Sequence, residues 1–331
     1  MLKHPYLLFI GNASDQLAAK TAAGIVQWRR DWCLGQCRLP GCQADLHLPE
    51  MTPEQAAAAG AGTMIVGVAN AGGFLPEAWT EMLLRGLRAG LDVASGLHDR
   101  LVDNPAVGAE AARLGRALHD VRHPQRTFSV GTGERRAGRR LLTVGTDCSV
   151  GKMYASLALT ATMRARGLDA DFRATGQTGI FIAGDGVSVD AVVADFIAGA
   201  TEWLSPAADP QHWDVIEGQG SLFHPSYAGV SLGLLHGAQP DALVMCHEPT
   251  RTHMRGLPNR ALPDIAACIA ANEQAARLTN PRATCIGVCV NTSSLAADTA
   301  EALLAGLGAR LGLPAVDPLV HGVDAIVDRL P

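Results

Sequence analysis

The sequence predicts an α/β protein built from two parallel-sheet domains. Three observations carry that expectation. Short apolar runs that close on glycine-bearing turns alternate with stretches of helical period, the pattern of strands joined by helical crossovers. The 331 residues suffice for two domains at roughly 100–200 residues each. A polar, glycine-bearing segment, GTGERRAGRR at 131–140, interrupts the alternation and reads as a linker.

The elements follow in order. YLLFI, 6–10, is a buried strand closing on GNASD, and a helix-period stretch covers 16–28. TMIVGVANAGG, 63–73, repeats the strand-then-glycine form. LPEAWTEMLLRGLRAG, 75–90, is helical, LDVASGLH, 91–98, returns to the sheet, and 106–119 is a further helix. This first domain, 1–130, is expected to be small and Rossmann-like. GNASD lacks the GxGxxG glycines, so no NAD site is expected. After the linker come a strand at LLTVG, 141–145, and a helix over 151–166. DADFRATG is a strand and turn, and FRATGQTGIFIAGDG, 172–186, reads as a glycine-dense loop. SVDAVVADFIAGATEWL, 188–204, reads as a helix. Strands at WDVIEGQGS, DALVMCHE and TCIGVCVNT and helices at 263–278 and 296–311 complete a larger second domain, 141–331.

Composition narrows the function. Apolar residues make up 48% of the chain and charged residues 18%, enough for packed cores. Net charge is −5 with no basic block, which argues against a nucleic-acid or anionic-membrane partner. No apolar run approaches the ~18–20 residues of a membrane span. The opening MLKHPYLLFIGN lacks a signal core and cleavage site, so a cytoplasmic protein is expected. Eight scattered cysteines do not form a disulfide framework. Cys33, Cys37 and Cys42 with His47 lack compact zinc spacing, and His247 and His253 are six apart rather than i, i+4, so no metal centre is expected. Two domains with small-residue-rich helices suggest a homo-oligomer acting on small molecules.

The strongest motif is GTDCSVGKM, 145–153. It lies between a five-residue apolar strand and a helix, which makes it a phosphate-binding loop and the second domain P-loop NTPase-like. Backbone amides along Thr146, Asp147, Cys148, Ser149, Val150 and Gly151 converge on an anion, and Lys152 adds charge. Lys152 is one of only three lysines, with Lys3 and Lys20. Met153 stands where the usual pattern has the hydroxyl that holds Mg²⁺. A γ-phosphoryl transfer needs that metal, whereas holding a cofactor's phosphates needs only donors and a cation. The loop therefore reads as one that binds without cutting.

GTDCSVGKM is similar to the GTDxxxGKT loop of dethiobiotin synthetase and its relatives. VIEGQGS, 215–221, resembles their VEGAGG turn, and VCVNT, 288–292, falls where they place an asparagine beside adenine, here Asn291. The whole chain resembles something more specific. IVGVANAGGFLPEAW, GLDVASGLHDRL, TDCSVGKMY, FRATGQTGIFIAGDGVSVD, IEGQGSLFHPSYAGVSLGLLHG and CHEPTRTHMRGLPN together resemble the DgcN-type D-glutamate N-acetyltransferase family. The resemblance spans both domains. It implies acetyl-CoA as co-substrate, no required metal, and acetylation of an acidic amino acid, D-glutamate, in amino-acid breakdown.

Such chemistry needs a base for the amine, a donor for the thioester oxygen and cations for the substrate carboxylates. Glu217, His224, His247 and Asp190 are the candidate bases, and the sequence does not choose among them. Arg173, Thr175, Gln177, Arg251 and Arg255 are candidate substrate donors. Asp185 and Asp190 suit an ammonium. Asn70 and His98, at strand ends of the first domain, suit a cleft between domains. Cys148 at a helix start is conceivable as an acetyl carrier, although direct transfer asks for fewer special features. Two other readings stand beside this one. An ATP- and Mg²⁺-dependent ligase or kinase would hold its metal on Glu217 and Asp147; a non-catalytic regulator would bind a nucleotide or coenzyme A without turnover.

Overall fold

The computed structural model describes residues 2–69, 73–124 and 126–331. The chain divides into two compact units, one formed by residues 1–125 with Gly176–Ala191, the other by Arg126–Thr175 with Val192–Pro331.

In the first unit β1 (Tyr6–Gly11), α1 (Lys20–Trp28), β2 (Cys33–Arg38), α2 (Pro53–Ala58), β3 (Thr63–Val66), α3 (Glu77–Arg88), β4 (Asp92–Ser95), α4 (Pro105–Leu114) and β5 (Leu118–Asp120) alternate. The strands form one parallel sheet in the order β2-β1-β3-β4-β5. Tyr6 to Ile10 are wholly buried, as a central parallel strand covered on both faces requires. α3 turns Trp79, Leu83 and Leu87 inward at i, i+4, i+8. The Trp79 ring meets Phe9 edge-on at 5.5 Å, and its Nε1 donates to Asn12 Oδ1 at 2.9 Å. β2, CLGQCR, has no alternation to mark it in the sequence, and its Gly35 is pressed so close to Pro49 O that a Cβ would come within 2.7 Å.

The second unit contains β6 (Arg139–Gly145), α5 (Lys152–Ala165) and β7 (Ala170–Arg173), then, after α6 (Gln177–Ala183) in the first unit, α7 (Ile197–Leu204), β8 (Trp213–Ile216), α8 (Ala228–Ala238) and β9 (Ala242–His247). A short antiparallel hairpin, β10 (His253–Met254) and β11 (Leu257–Ala261), precedes α9 (Ile265–Ala276), β12 (Thr284–Val290), α10 (Ala297–Leu311), β13 (Ala315–Val316) and α11 (Asp324–Val327). The main sheet is parallel in the order β13-β12-β9-β6-β8-β7. The loop strand β6 thus lies centrally, between β9 and β8.

Three segments differ from the sequence expectation. The helix over 106–119 ends at Leu114, where Gly115 turns at φ +62°, and Leu118–Asp120 is the strand β5. The stretch 172–186 is not a loop throughout: residues 177–183 form α6. Gly176 enters it extended and Gly184 leaves it at φ +81°, while Ile180, Phe181 and Ile182 are buried in the first unit. Arg29 Nε donates to Ile182 O at 2.9 Å. The helix over 188–204 is shorter, starting at Ile197, because Val193 is extended at φ −57°, ψ 137°. Before that break, Asp190 accepts from Ser188 Oγ at 2.8 Å and from Arg122 at 2.6 Å.

The polar stretch 131–140 is held down by charge. Glu202 accepts the amides of Thr132 and Gly133 at 2.9–3.0 Å. Arg140 is fully buried. It donates to Ser205 Oγ at 2.9 Å and to the carbonyls of Arg136, Ala137, Gly138 and Pro206 at 2.9–3.3 Å. Among the described residues no helix is long and apolar enough to cross a membrane.

Candidate active site

The site forms at the carboxyl end of β6, where open parallel sheets bind ligands. β6 ends at Gly145, the loop runs over 146–151, and α5 begins at Lys152. Ser149 and Gly151 take left-handed conformations, φ +54° and +95°. These turn successive amides toward a common centre, the concave nest that holds anions. Among the described residues, the amides of Ser149, Val150, Gly151, Lys152 and Met153 donate to no protein acceptor. They are the orphan donors expected at a helix start. Lys152 is buried, and its Nζ donates to Asp147 O at 2.8 Å, inside the loop's own curve. Burial lowers its pKa below the usual lysine range, against the opposing fields of Cys246, Cys148, Asp147 and Glu217. Gly145 is required beneath it: a Cβ there would lie 2.9 Å from Nζ.

A clamp fixes the loop's shape. Asp147 is wholly buried. Its Oδ1 accepts the Cys148 amide at 2.7 Å, and its Oδ2 accepts Arg251 and the Arg255 amide, both at 2.8 Å. Arg251 also donates to Cys148 O at 2.6 Å, Ser149 O at 2.8 Å and Glu248 Oε2 at 2.9 Å. Glu248 accepts in addition the amide and hydroxyl of Thr250. One guanidinium therefore saturates two carbonyls of the cradle and its only acid. The sequence suggested Arg251 for substrate; the structure turns its fork to the loop.

The candidate bases separate sharply. His247, the last residue of β9, bonds through Nδ1 to Thr146 Oγ1 at 3.0 Å, and its Nε2 has no partner among the described residues. Burial lowers its pKa, with Glu248 opposing and Arg310 and Arg251 assisting, so the ring is neutral at pH 7. His224 is buried with both nitrogens engaged: Nε2 lies 3.0 Å from Arg255 O, and Nδ1 accepts the Ser226 amide at 3.2 Å. Glu217, buried at the end of β8, accepts the Thr175 amide at 3.0 Å and Gln219 Nε2 at 3.3 Å, while Thr175 Oγ1 donates to its carbonyl at 2.6 Å. That pair stitches the turn after β8 to the end of β7. Asp190 lies in the first unit with the partners already given.

The other candidates scatter. Arg173, the last residue of β7, donates through Nε to Asp214 of β8 at 2.5 Å and lies 3.6 Å from Asp171 of its own strand, so it is paired with acids of the sheet. Gln177 belongs to α6 of the first unit and packs on Gly96, where a Cβ would lie 2.2 Å from its Oε1. Asn70 lies outside the described residues. The amide of Asn291, just beyond β12, donates to His247 O at 2.9 Å, and its side chain accepts the Ser293 amide. Arg255 contributes its backbone to Asp147 and His224, while its guanidinium is exposed and makes no hydrogen bond among the described residues. Met153 follows Lys152 with no hydroxyl to offer. Burial pushes the Cys148 thiol up, despite Lys152, so the thiolate is disfavoured.

Two features were not read from the sequence. Thr143, inside the otherwise apolar LLTVG, accepts the Gly218 amide at 2.9 Å, donates to Lys152 O at 3.3 Å and lies 3.0 Å from Ser156 Oγ. A hydroxyl in a buried strand was the available signal. Second, ligand atoms of Asp147, Cys148 and His224 lie within 4.8 Å of one another, a spacing a metal ion could span. The Asp147 and His224 atoms involved already hold the bonds described above.

Comparison with known proteins agrees with this architecture. Residues 128–327 match the family described as a domain of unknown function (DUF1611_C), P-loop domain, and residues 37–124 match its companion (DUF1611_N), Rossmann-like domain. A protein of Tritonibacter scottomollicae named D-glutamate N-acetyltransferase is 54% identical over 330 residues, covering 100% of this chain and 99% of that one. One of the same name from a Pseudoalteromonas species is 49% identical over 329 residues, with 99% of each covered. The crystal structure of a DUF1611 family protein from Anabaena variabilis ATCC 29413 superposes with a TM-score of 0.87 at 29% identity, over 99% of both chains. With both domains matched in order and the fold shared end to end, the chain belongs to the DUF1611 family, a Rossmann-like domain followed by a P-loop domain.

Proposed function

We propose that this protein is a D-glutamate N-acetyltransferase, moving the acetyl group of acetyl-CoA to the amine of D-glutamate. The observation that carries the reading is identity of 54% and 49% along the full chain to two proteins of that name. The loop supports it: five unpaired amides and Lys152 suit the phosphates of coenzyme A, and Met153 offers no magnesium ligand. The ligase or kinase alternative needs Asp147 on a metal, yet both of its oxygens are taken by Cys148, Arg251 and Arg255.

In this reading the phosphates of acetyl-CoA lie on residues 148–153. His247 is the base. With Nδ1–H donating to Thr146 Oγ1, its neutral Nε2 receives the proton as the amine attacks the thioester carbonyl. The C–N bond forms, the C–S bond breaks, and coenzyme A leaves as the thiol after taking a proton. Arg255, whose guanidinium is uncommitted, holds a substrate carboxylate. His224, Glu217 and Thr175 keep the surrounding turns in place.

Release of free thiol from acetyl-CoA tests the proposal, with D-glutamate, L-glutamate and D-aspartate offered in turn. The expected result is release that depends on D-glutamate and exceeds that with the other two. No release above an enzyme-free blank would overturn it.

A further inference from the structure

The arginines of GERRAGRR serve no step of the proposed reaction. Three of them, Arg135, Arg136 and Arg139, line a cavity of about 340 Å³ together with Arg282, Asp241 and Pro210. Every one of these positions lies at or just before the amino end of a main-sheet strand: Arg139 opens β6, Pro210 precedes β8, Asp241 precedes β9 and Arg282 precedes β12. The cavity is thus at the opposite edge of the sheet from the phosphate loop. Seven residues of β6 at ~3.3 Å each separate the two by about 20 Å.

Its charge is unbalanced. The four arginines that line it have two acids beside them: Glu202, 3.8 Å from Arg136, and Asp241, which is committed to Arg135 at 2.9 Å, Asn280 at 3.1 Å and the Arg140 amide at 3.1 Å. A further negative group at Pro331, whose carbonyl accepts Arg139, would still leave a positive excess. Burial above all, with the neighbouring Arg140 assisting and Glu202 and Asp214 opposing, pushes Arg136 down to about 10. Donors remain to spend. Arg139 uses one nitrogen on Pro331, and the Arg282 side chain, 74% exposed, only approaches Asp241 at 3.7 Å. Planar guanidinium forks with spare N–H groups match the oxygens of phosphate.

We propose that this cavity is a second anion site, which binds a small phosphate or pyrophosphate group, free or carried on a nucleoside. It does not depend on the acetyl-transfer reading. Isothermal titration of the full chain with pyrophosphate, and separately with ADP, tests it. The wild-type chain should show two classes of site. Arg282→Gln, at a largely exposed side chain, should weaken one class roughly tenfold and leave the other, the loss expected from one charge-assisted hydrogen bond. Lys152→Ala should do the reverse. Pyrophosphate binding at least as tightly as ADP assigns the bare anion, and a preference for ADP assigns a nucleotide. A wild type that binds neither ligand, or binding that is indifferent to Arg282→Gln in every class, would refute the site. Should Lys152→Ala not fold, the Arg282→Gln titration decides alone.

Discussion

Replacing Arg251 by lysine separates two roles for that arginine. As a substrate ligand it would act on D-glutamate; as a clamp it acts on the loop, and so on acetyl-CoA. Its guanidinium makes three bonds to the cradle, to Asp147 Oδ2, Cys148 O and Ser149 O at 2.6–2.8 Å. Lysine keeps the charge but not the fork, and cannot span all three. Asp147 is not orphaned by the change, because the Cys148 and Arg255 amides still donate to it. The full penalty for a stranded buried charge therefore does not apply. Arg251 is also about one-fifth exposed, which softens each bond. Losing two of the three bonds should cost about 2–3 kcal/mol of loop organisation. That is roughly 30- to 150-fold in the affinity for acetyl-CoA. The assay is initial-rate thiol release with each substrate varied, read alongside direct calorimetry of coenzyme A. KM for acetyl-CoA should rise with little change in KM for D-glutamate. The opposite pattern, an unchanged coenzyme A affinity with a raised KM for D-glutamate, would return Arg251 to the substrate and refute the clamp.

Four further outcomes are expected. His247→Gln should lower kcat by about 10²–10⁴. In the wild type the acid limb of kcat/KM should fall below pH 6.5, since burial lowers this histidine's pKa; a limb that survives the substitution would assign the base elsewhere. Cys148→Ser should change the rate by less than about tenfold, because its thiol is pushed up rather than activated; an acetyl-enzyme burst lost in the variant would contradict this. Gly218→Ala should unfold the second unit or destabilise it by about 3 kcal/mol or more, since the new Cβ would fall 1.7 Å from Thr143 O; an unchanged denaturant midpoint would be inconsistent with that packing. Burial lowers the pKa of His212, but its bonds to Asp169 at 2.9 Å and Asp214 at 3.2 Å outweigh burial and raise it overall. Its stabilisation is then complete below pH 6.5 and lost as pH rises through the raised folded value. The melting-temperature gap between wild type and His212→Asn should be widest in acid and narrow with rising pH, and a gap that widens instead would reverse the assignment.

Much of this protein was legible from residue order alone. Alternating apolar runs and helix periods identify the parallel sheets, because strand and helix periodicities are local properties of the chain. GTDCSVGK identifies the anion cradle, since the turn, the free amides and the lysine are neighbours in sequence. Density of glycine misled at 172–186, where Gly176 and Gly184 bound a buried helix instead of filling a loop. Its apolar core, IFI, is decided by what it packs on, and that partner is more than a hundred residues away. The hydrogen-bond partners of the ionisable groups likewise meet only on folding. His224, His247 and Glu217 have equal standing as letters; what separates them is which nitrogen or oxygen a distant backbone amide or carbonyl occupies. Arg251 reaches the loop from a hundred residues downstream, and the basic string 135–139 lines a cavity with Arg282. Hydrogen bonds and fields act through space over a few ångströms, so partners that meet only in the tertiary structure leave no spacing in the sequence to read.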